Sequence, residues 1–121
     1  MTDQVSSRFS ISSKTLDSVF LKHRFSWPVV ETADPEKIDG YITIYDLEAG
    51  KHSRVDHHLE AVKLVLLKNE TELGKLRDDC QYTLWVRYRF PSREGAFNLS
   101  PYLLSFFSFL RIEIIFHLNE N

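Results

Sequence analysis

The run Tyr82, Leu84, Val86, Tyr88 and Phe90, alternating with Thr83, Trp85, Arg87 and Arg89, constrains this chain more than any other feature. A period of two over nine residues is that of a strand with one apolar face and one polar face. It commits the fold to a sheet. Other strands follow from the same period. Val5, Ser7, Phe9 and Ile11 alternate with Ser6, Arg8 and Ser10, and residues 41–47 alternate after the turn signal Asp39-Gly40. Ile112, Ile114, Phe116 and Leu118 alternate in a last strand.

Helical patterns separate these strands. Ser12 or Ser13 caps a helix whose face is Leu16, Val19, Phe20 and His23, at i, i+3, i+4 and i+7. Ser53-Arg54-Val55-Asp56 resembles a capping box, opening a helix with Val55, Leu59, Val62 and Leu66 on one stripe and Val65 beside it. Residues 71–76 suit a short helical turn. Ser100-Pro101 starts a further helix, because proline at the first position lacks only an amide that would have been orphaned. Its buried face is Leu103, Phe106, Phe107 and Leu110, with Ser105 and Ser108 outside.

The order β-α-β-α-β-α-β predicts one α+β domain over residues 1–121, with a mainly antiparallel four-stranded sheet and helices packed on one face. Phe9-Ser10-Ile11-Ser12 is echoed by Phe97-Asn98-Leu99-Ser100, which suggests two β-α-β halves in a ferredoxin-like layering. The longest apolar stretch, residues 95–110, holds Asn98, Ser100, Pro101, Ser105 and Ser108 and falls short of the roughly 20 apolar residues a membrane span needs. Residues 1–10 are polar and show no export signal, so a cytoplasmic protein without membrane contact is expected.

Charge is distributed unevenly. The chain carries −2 overall, which argues against a general nucleic-acid binder. Glu31, Asp34, Glu36, Asp39, Asp46 and Glu48, against Lys37 alone, put −5 between positions 31 and 50 and leave about +3 for the rest. Clustered carboxylates attract a basic partner and speed its association. Trp27, at the start of the long irregular stretch 24–39, would be the aromatic anchor beside them. The expected partner-binding residues are therefore Trp27 and these six carboxylates, within residues 24–48.

Three further groups carry residues of functional types. His52, His57 and His58 cluster near Asp56 and Glu60. His52 and Asp56 could share a helix face, but no further ligands follow at a zinc-site spacing, so neither a metal nor a catalytic role is assigned. Cys80 has no His or second Cys at a catalytic spacing and reads as a small buried hydrophobe. The outer face of the sheet should carry Tyr41, Thr43 and Tyr45, together with Thr83, Trp85, Arg87, Arg89, Glu113, Ile115 and His117. A protein partner or a second copy packed on that face would account for this mixture.

Several strings also carry a family likeness. Phe9-x-Ile11-Ser12 with its short helix, the histidine-containing helix at 56–67, and Phe97-x-Leu99-Ser100-x-x-x-Leu104 followed by Ile112-x-Ile114 resemble the domain of unknown function 4279 family. The resemblance spans most of the chain. It departs at the second main strand, where the family opens with tryptophan and this chain has Gly40-Tyr41-Ile42. It implies a small bacterial α+β protein with no catalytic residues to carry over. By analogy with small proteins that accompany secreted toxins, the expected function is a non-catalytic immunity protein, without cofactor or metal, that neutralises a cognate toxin. Two other expectations stand beside it. One is a small-ligand or metal-dependent enzyme using His52, Asp56 and His57, and the other is a homodimer packed through the sheet face.

Overall fold

The computed structural model describes residues 4–16, 18–25, 27, 29–31, 41–45, 47, 49–90 and 97–120. The elements run β1 (Gln4–Ser13), α1 (Ser18–Arg24), β2 (Val29–Glu31), β3 (Tyr41–Tyr45), α2 (Val55–Leu67), α3 (Glu70–Leu76), β4 (Cys80–Phe90), α4 (Pro101–Phe109) and β5 (Ile112–Glu120). The strands form one sheet in the order β2-β3-β1-β4-β5. β1, β4 and β5 are long, β3 has five residues, and β2 is a three-residue edge strand within the stretch expected to be irregular.

Pairing is mixed. β1 is antiparallel to both β3 and β4, and β2 is antiparallel to β3, whereas β4 and β5 run parallel. A parallel neighbour requires a crossover, and α4 supplies it. The two halves suggested by the sequence echo are therefore not equivalent. In the first, β1 and β3 are antiparallel neighbours; in the second, β4 and β5 are parallel. Phe97–Ser100 also lies in the connection before α4 and forms no strand.

Alternation decides which face is covered. Val5, Phe9 and Ile11 of β1 lie opposite Tyr88, Leu84 and Tyr82 of β4, and all six are buried. Ile112, Ile114, Phe116 and Leu118 continue that face onto β5. Against it lie α1, α2 and α4, which contact β3, β1 and β5 respectively. α2 buries Val55, Leu59, Val62 and Leu66 as its stripe requires, and α4 buries Leu103 and Phe107. Tyr82 crosses beneath the sheet to donate a 2.6 Å hydrogen bond to the Leu73 carbonyl, which ties β4 to α3.

Several local expectations change. Ser100 caps α4 as read, its hydroxyl accepting from the Leu103 amide at 3.1 Å. α2 instead has Arg54 at its N-cap, whose side chain has no oxygen to accept an amide, and Asp56 makes a two-pronged pairing with the Arg54 guanidinium at 3.0 and 2.7 Å. Ser13 accepts from the Thr15 and Leu16 amides, forming a turn before α1. α1 starts only at Ser18, so its inward face is Leu21 followed by Phe25, while Val19 and His23 face solvent.

β3 is turned over relative to the sequence reading. Its register sets Tyr45 opposite Phe9 and Ile44 opposite Ser10, so Tyr45 points into the core and is fully buried. Burial pushes its phenol far above the usual range, with the neighbouring Cys80 adding to the effect. Tyr41 and Thr43 share the parity of Tyr45. Tyr45 therefore does not belong to the outer face, and the side chains of Tyr41 and Thr43 lie outside the described residues.

Candidate functional site

Among the described residues no helix covers the outer face of the sheet. Three rows of directly opposed residues cross it from β1 through β4 to β5. They are Ser10–Thr83–Glu113, Arg8–Trp85–Ile115 and Ser6–Arg87–His117. A fourth, Gln4–Arg89–Asn119, continues toward the end of the sheet. Residues opposed across neighbouring strands share a face, so the rows place Trp85 at the centre of the patch. The sequence assigned these β4 and β5 residues to this face, and the register agrees.

Trp85 is held in place and still presented. Its indole N–H donates to the Ser10 hydroxyl at 3.2 Å, and its ring lies 6.3 Å from the ring of His117. It remains 42% exposed. A hollow of about 530 Å³ is lined by Ser6, Arg8, Trp85, Arg87 and His117. A second, of about 360 Å³, adjoins it between Gln4, Lys51, His52, Arg87 and Arg89. Among the described residues, Arg8, Arg87, Arg89 and Lys51 against Glu113 give this face an excess of basic side chains. A tryptophan held by its own hydrogen bond amid arginines, on an exposed sheet face, is a composition suited to binding another macromolecule.

The tryptophan chosen from the sequence is the other one. Trp27 is only 8% exposed and belongs to the core. Its ring stacks on Phe25 at 5.0 Å and meets Tyr45 and Phe9 edge-on at 5.3 and 5.6 Å. It cannot also anchor a partner. Glu31 ends β2, but its side chain lies outside the described residues, as do Asp34, Glu36, Asp39, Asp46 and Glu48 altogether. The chain leaves β2 and enters β3 on either side of 32–40, at the sheet edge remote from β5.

The histidines separate. His57 is exposed and lies 3.9 Å from Asp56, whose carboxylate is engaged by Arg54. Slight burial raises the Asp56 carboxyl, but the Arg54 hydrogen bond and charge, with His57 adding, bring it below the usual value. His52 turns the other way and meets His58, with the two Nδ1 atoms 3.1 Å apart. The trio His52, Asp56 and His57 is therefore not assembled. Among the described residues no group of three or more His, Cys, Asp or Glu could hold a metal ion.

The structure brings together a set that the sequence reading missed. Ser7 Oγ lies 2.7 Å from His58 Nε2, so Ser7, His58 and His52 form a continuous hydrogen-bonded chain. The order resembles nucleophile, base and orienting group. Its environment points elsewhere. His58 is 2% exposed, and burial, helped by His52, lowers its pKa to about 4. A general base works best with a pKa near the working pH, and Ser7 sits on the helix-covered face of β1. The chain of hydrogen bonds satisfies a buried imidazole. It also fastens β1 to α2 and to the segment around His52, whose carbonyl accepts from the Val5 amide at 3.1 Å.

Cys80 is half-buried, and burial pushes its thiol up to about 11, away from nucleophile chemistry. Among the described residues no helix is long and apolar enough to cross a membrane. No protein-family model matches the chain, nor does any curated protein or solved structure at a significant level.

Proposed function

We propose that this chain is a non-catalytic protein-binding module of the bacterial cytoplasm, related to the domain of unknown function 4279 family, and that it acts as an immunity protein against a cognate toxin. The observation that carries the reading is the open sheet face. A large aromatic is fixed by its own hydrogen bond at the centre of that face and ringed by Arg8, Arg87 and His117. Such centres supply most of the energy of protein interfaces. The carboxylates Glu31, Asp34, Glu36, Asp39, Asp46 and Glu48 act separately, drawing in a partner with a basic patch and setting the association rate.

The test begins with recovery of the partner by tagged full-length chain from native lysate at moderate salt. A stoichiometric protein with a toxic activity that the chain blocks supports the reading. Recovery of nucleic acid in place of protein, or of a protein whose activity is untouched, refutes it. With the partner in hand, reversing Asp34, Glu36 and Asp39 to lysine should slow association and flatten its salt dependence. Unchanged kinetics would remove those carboxylates from the account.

A further inference from the structure

β5 forms one edge of the sheet, and it is long for an edge. Among the described residues its nine residues pair with β4 alone. An edge strand offers a row of backbone donors and acceptors to any chain that aligns with it, and exposed edges usually carry lysine, proline or a bulge to prevent this. β5, IEIIFHLNE, has neither lysine nor proline, and its register with β4 is continuous. Beside it runs an open, mostly apolar trough of about 660 Å³ whose wall includes Leu104, Phe107, Ile112, Ile114 and Phe116, with Arg111 and Glu113 also lining it. Leu104 on its wall and Leu118 further along β5 are exposed, 41% and 55%.

The sequence of β5 reads as its own complement. With two copies antiparallel and Ile115 facing Ile115, Glu113 of each falls opposite His117 of the other. On the helix-covered side Ile112 meets Leu118, and Ile114 meets Phe116. A two-fold axis repeats every one of these pairs. An imidazole facing a carboxylate can donate a hydrogen bond to it, and apolar pairs directly across an antiparallel ladder are favourable. Shifting the register by one pair along either strand breaks the match, setting Glu113 against Ile115 or against Asn119. We infer that β5 is a self-association edge, through which two copies join antiparallel into one continuous sheet. Leu118 of each copy then covers the Ile112 end of the other's trough. The open outer faces lie side by side in this dimer, so the surface around Trp85 stays available. The inference does not depend on the proposed function.

Sedimentation velocity of the full chain across the micromolar range tests it, with two variants. The wild type should sediment as a dimer that dissociates on dilution. His117→Glu places like charges opposite each other at both ends of the ladder and should raise the dissociation constant at least about tenfold. Glu113→His combined with His117→Glu restores the imidazole–carboxylate pairing and should recover dimerisation. Both positions are exposed, so circular dichroism should be the same for all three proteins. A wild type that is monomeric throughout overturns the inference, as does a dimer indifferent to His117→Glu. A double variant that fails to recover overturns the register.

Discussion

The buried imidazole of His58 makes the stability of this fold depend on pH in a calculable way. In the folded chain burial and the adjacent His52 hold its pKa at about 4, against an ordinary value of 6.5. The folded state therefore binds the proton less readily than the unfolded state. The stabilisation linked to a neutral His58 is complete above pH 6.5 and is lost as pH falls toward 4. At 1.36 kcal/mol per pH unit the full loss is about 3 kcal/mol, of which about 2 kcal/mol has gone by pH 5. Urea unfolding at pH 7.5 and pH 5 measures this as a drop in midpoint of roughly 1–2 M. Carboxylates titrate over part of the same range, so the comparison must be made against His58→Gln, which keeps a nitrogen within reach of Ser7 and does not titrate. Between the two pH values the stability gap between wild type and variant should change by about 2 kcal/mol, in favour of the variant at the lower pH. Parallel curves for the two proteins would refute the reasoning. So would a His58 ring proton whose NMR shift titrates near 6.5.

The other predictions concern packing and backbone. Trp27→Ala removes the centre of the Phe9–Phe25–Tyr45 cluster and should cost about 3–5 kcal/mol in chemical denaturation, whereas Trp85→Ala should cost about 1 kcal/mol or less. Equal costs would mean that the two tryptophans have been assigned to the wrong environments. Ser100→Ala deletes the cap that accepts from the Leu103 amide and should destabilise by about 1 kcal/mol. Gly50 has φ of +84°, and a Cβ there would lie 3.4 Å from His52 Cε1. Gly50→Ala should therefore cost about 1–2 kcal/mol and perturb the His52 ring signals in NMR spectra.

Legibility in the sequence followed the strength of each period. β4 repeats its apolar-polar alternation often enough to fix its phase, and the outer-face positions of Trp85, Arg87, Arg89, Glu113, Ile115 and His117 followed from it. β3 has only five residues, and both of its faces carry large side chains, isoleucine on one and tyrosine on the other. Its phase was set by pairing with β1, where Phe9 takes Tyr45 as its neighbour. Trp27 was misread because a tryptophan near charged residues is ambiguous until its ring partners are known. Those partners, Phe9 and Tyr45, come from two other strands.

The Ser7–His58–His52 chain was hidden by distance along the sequence, since 51 positions separate Ser7 from His58. A signal did exist. Ser7 interrupts the apolar face of β1 between Val5 and Phe9, and His58 lies inside the Val55–Leu59–Val62 stripe of α2. Two polar intruders on faces that must be buried have to find partners, and each is the other's. The mixed pairing was not legible, because no alternation pattern reports whether a neighbour runs parallel or antiparallel.

The most direct test of the central claim compares partner recovery by the wild-type chain and by a Trp85→Ala, Arg87→Ala variant, quantified from the same lysate. Matched unfolding curves must first show that both proteins are folded. The account predicts that the variant recovers at least about tenfold less partner, because an interface loses most of its energy with its central anchor. Equal recovery would show that the open sheet face is not where the partner binds.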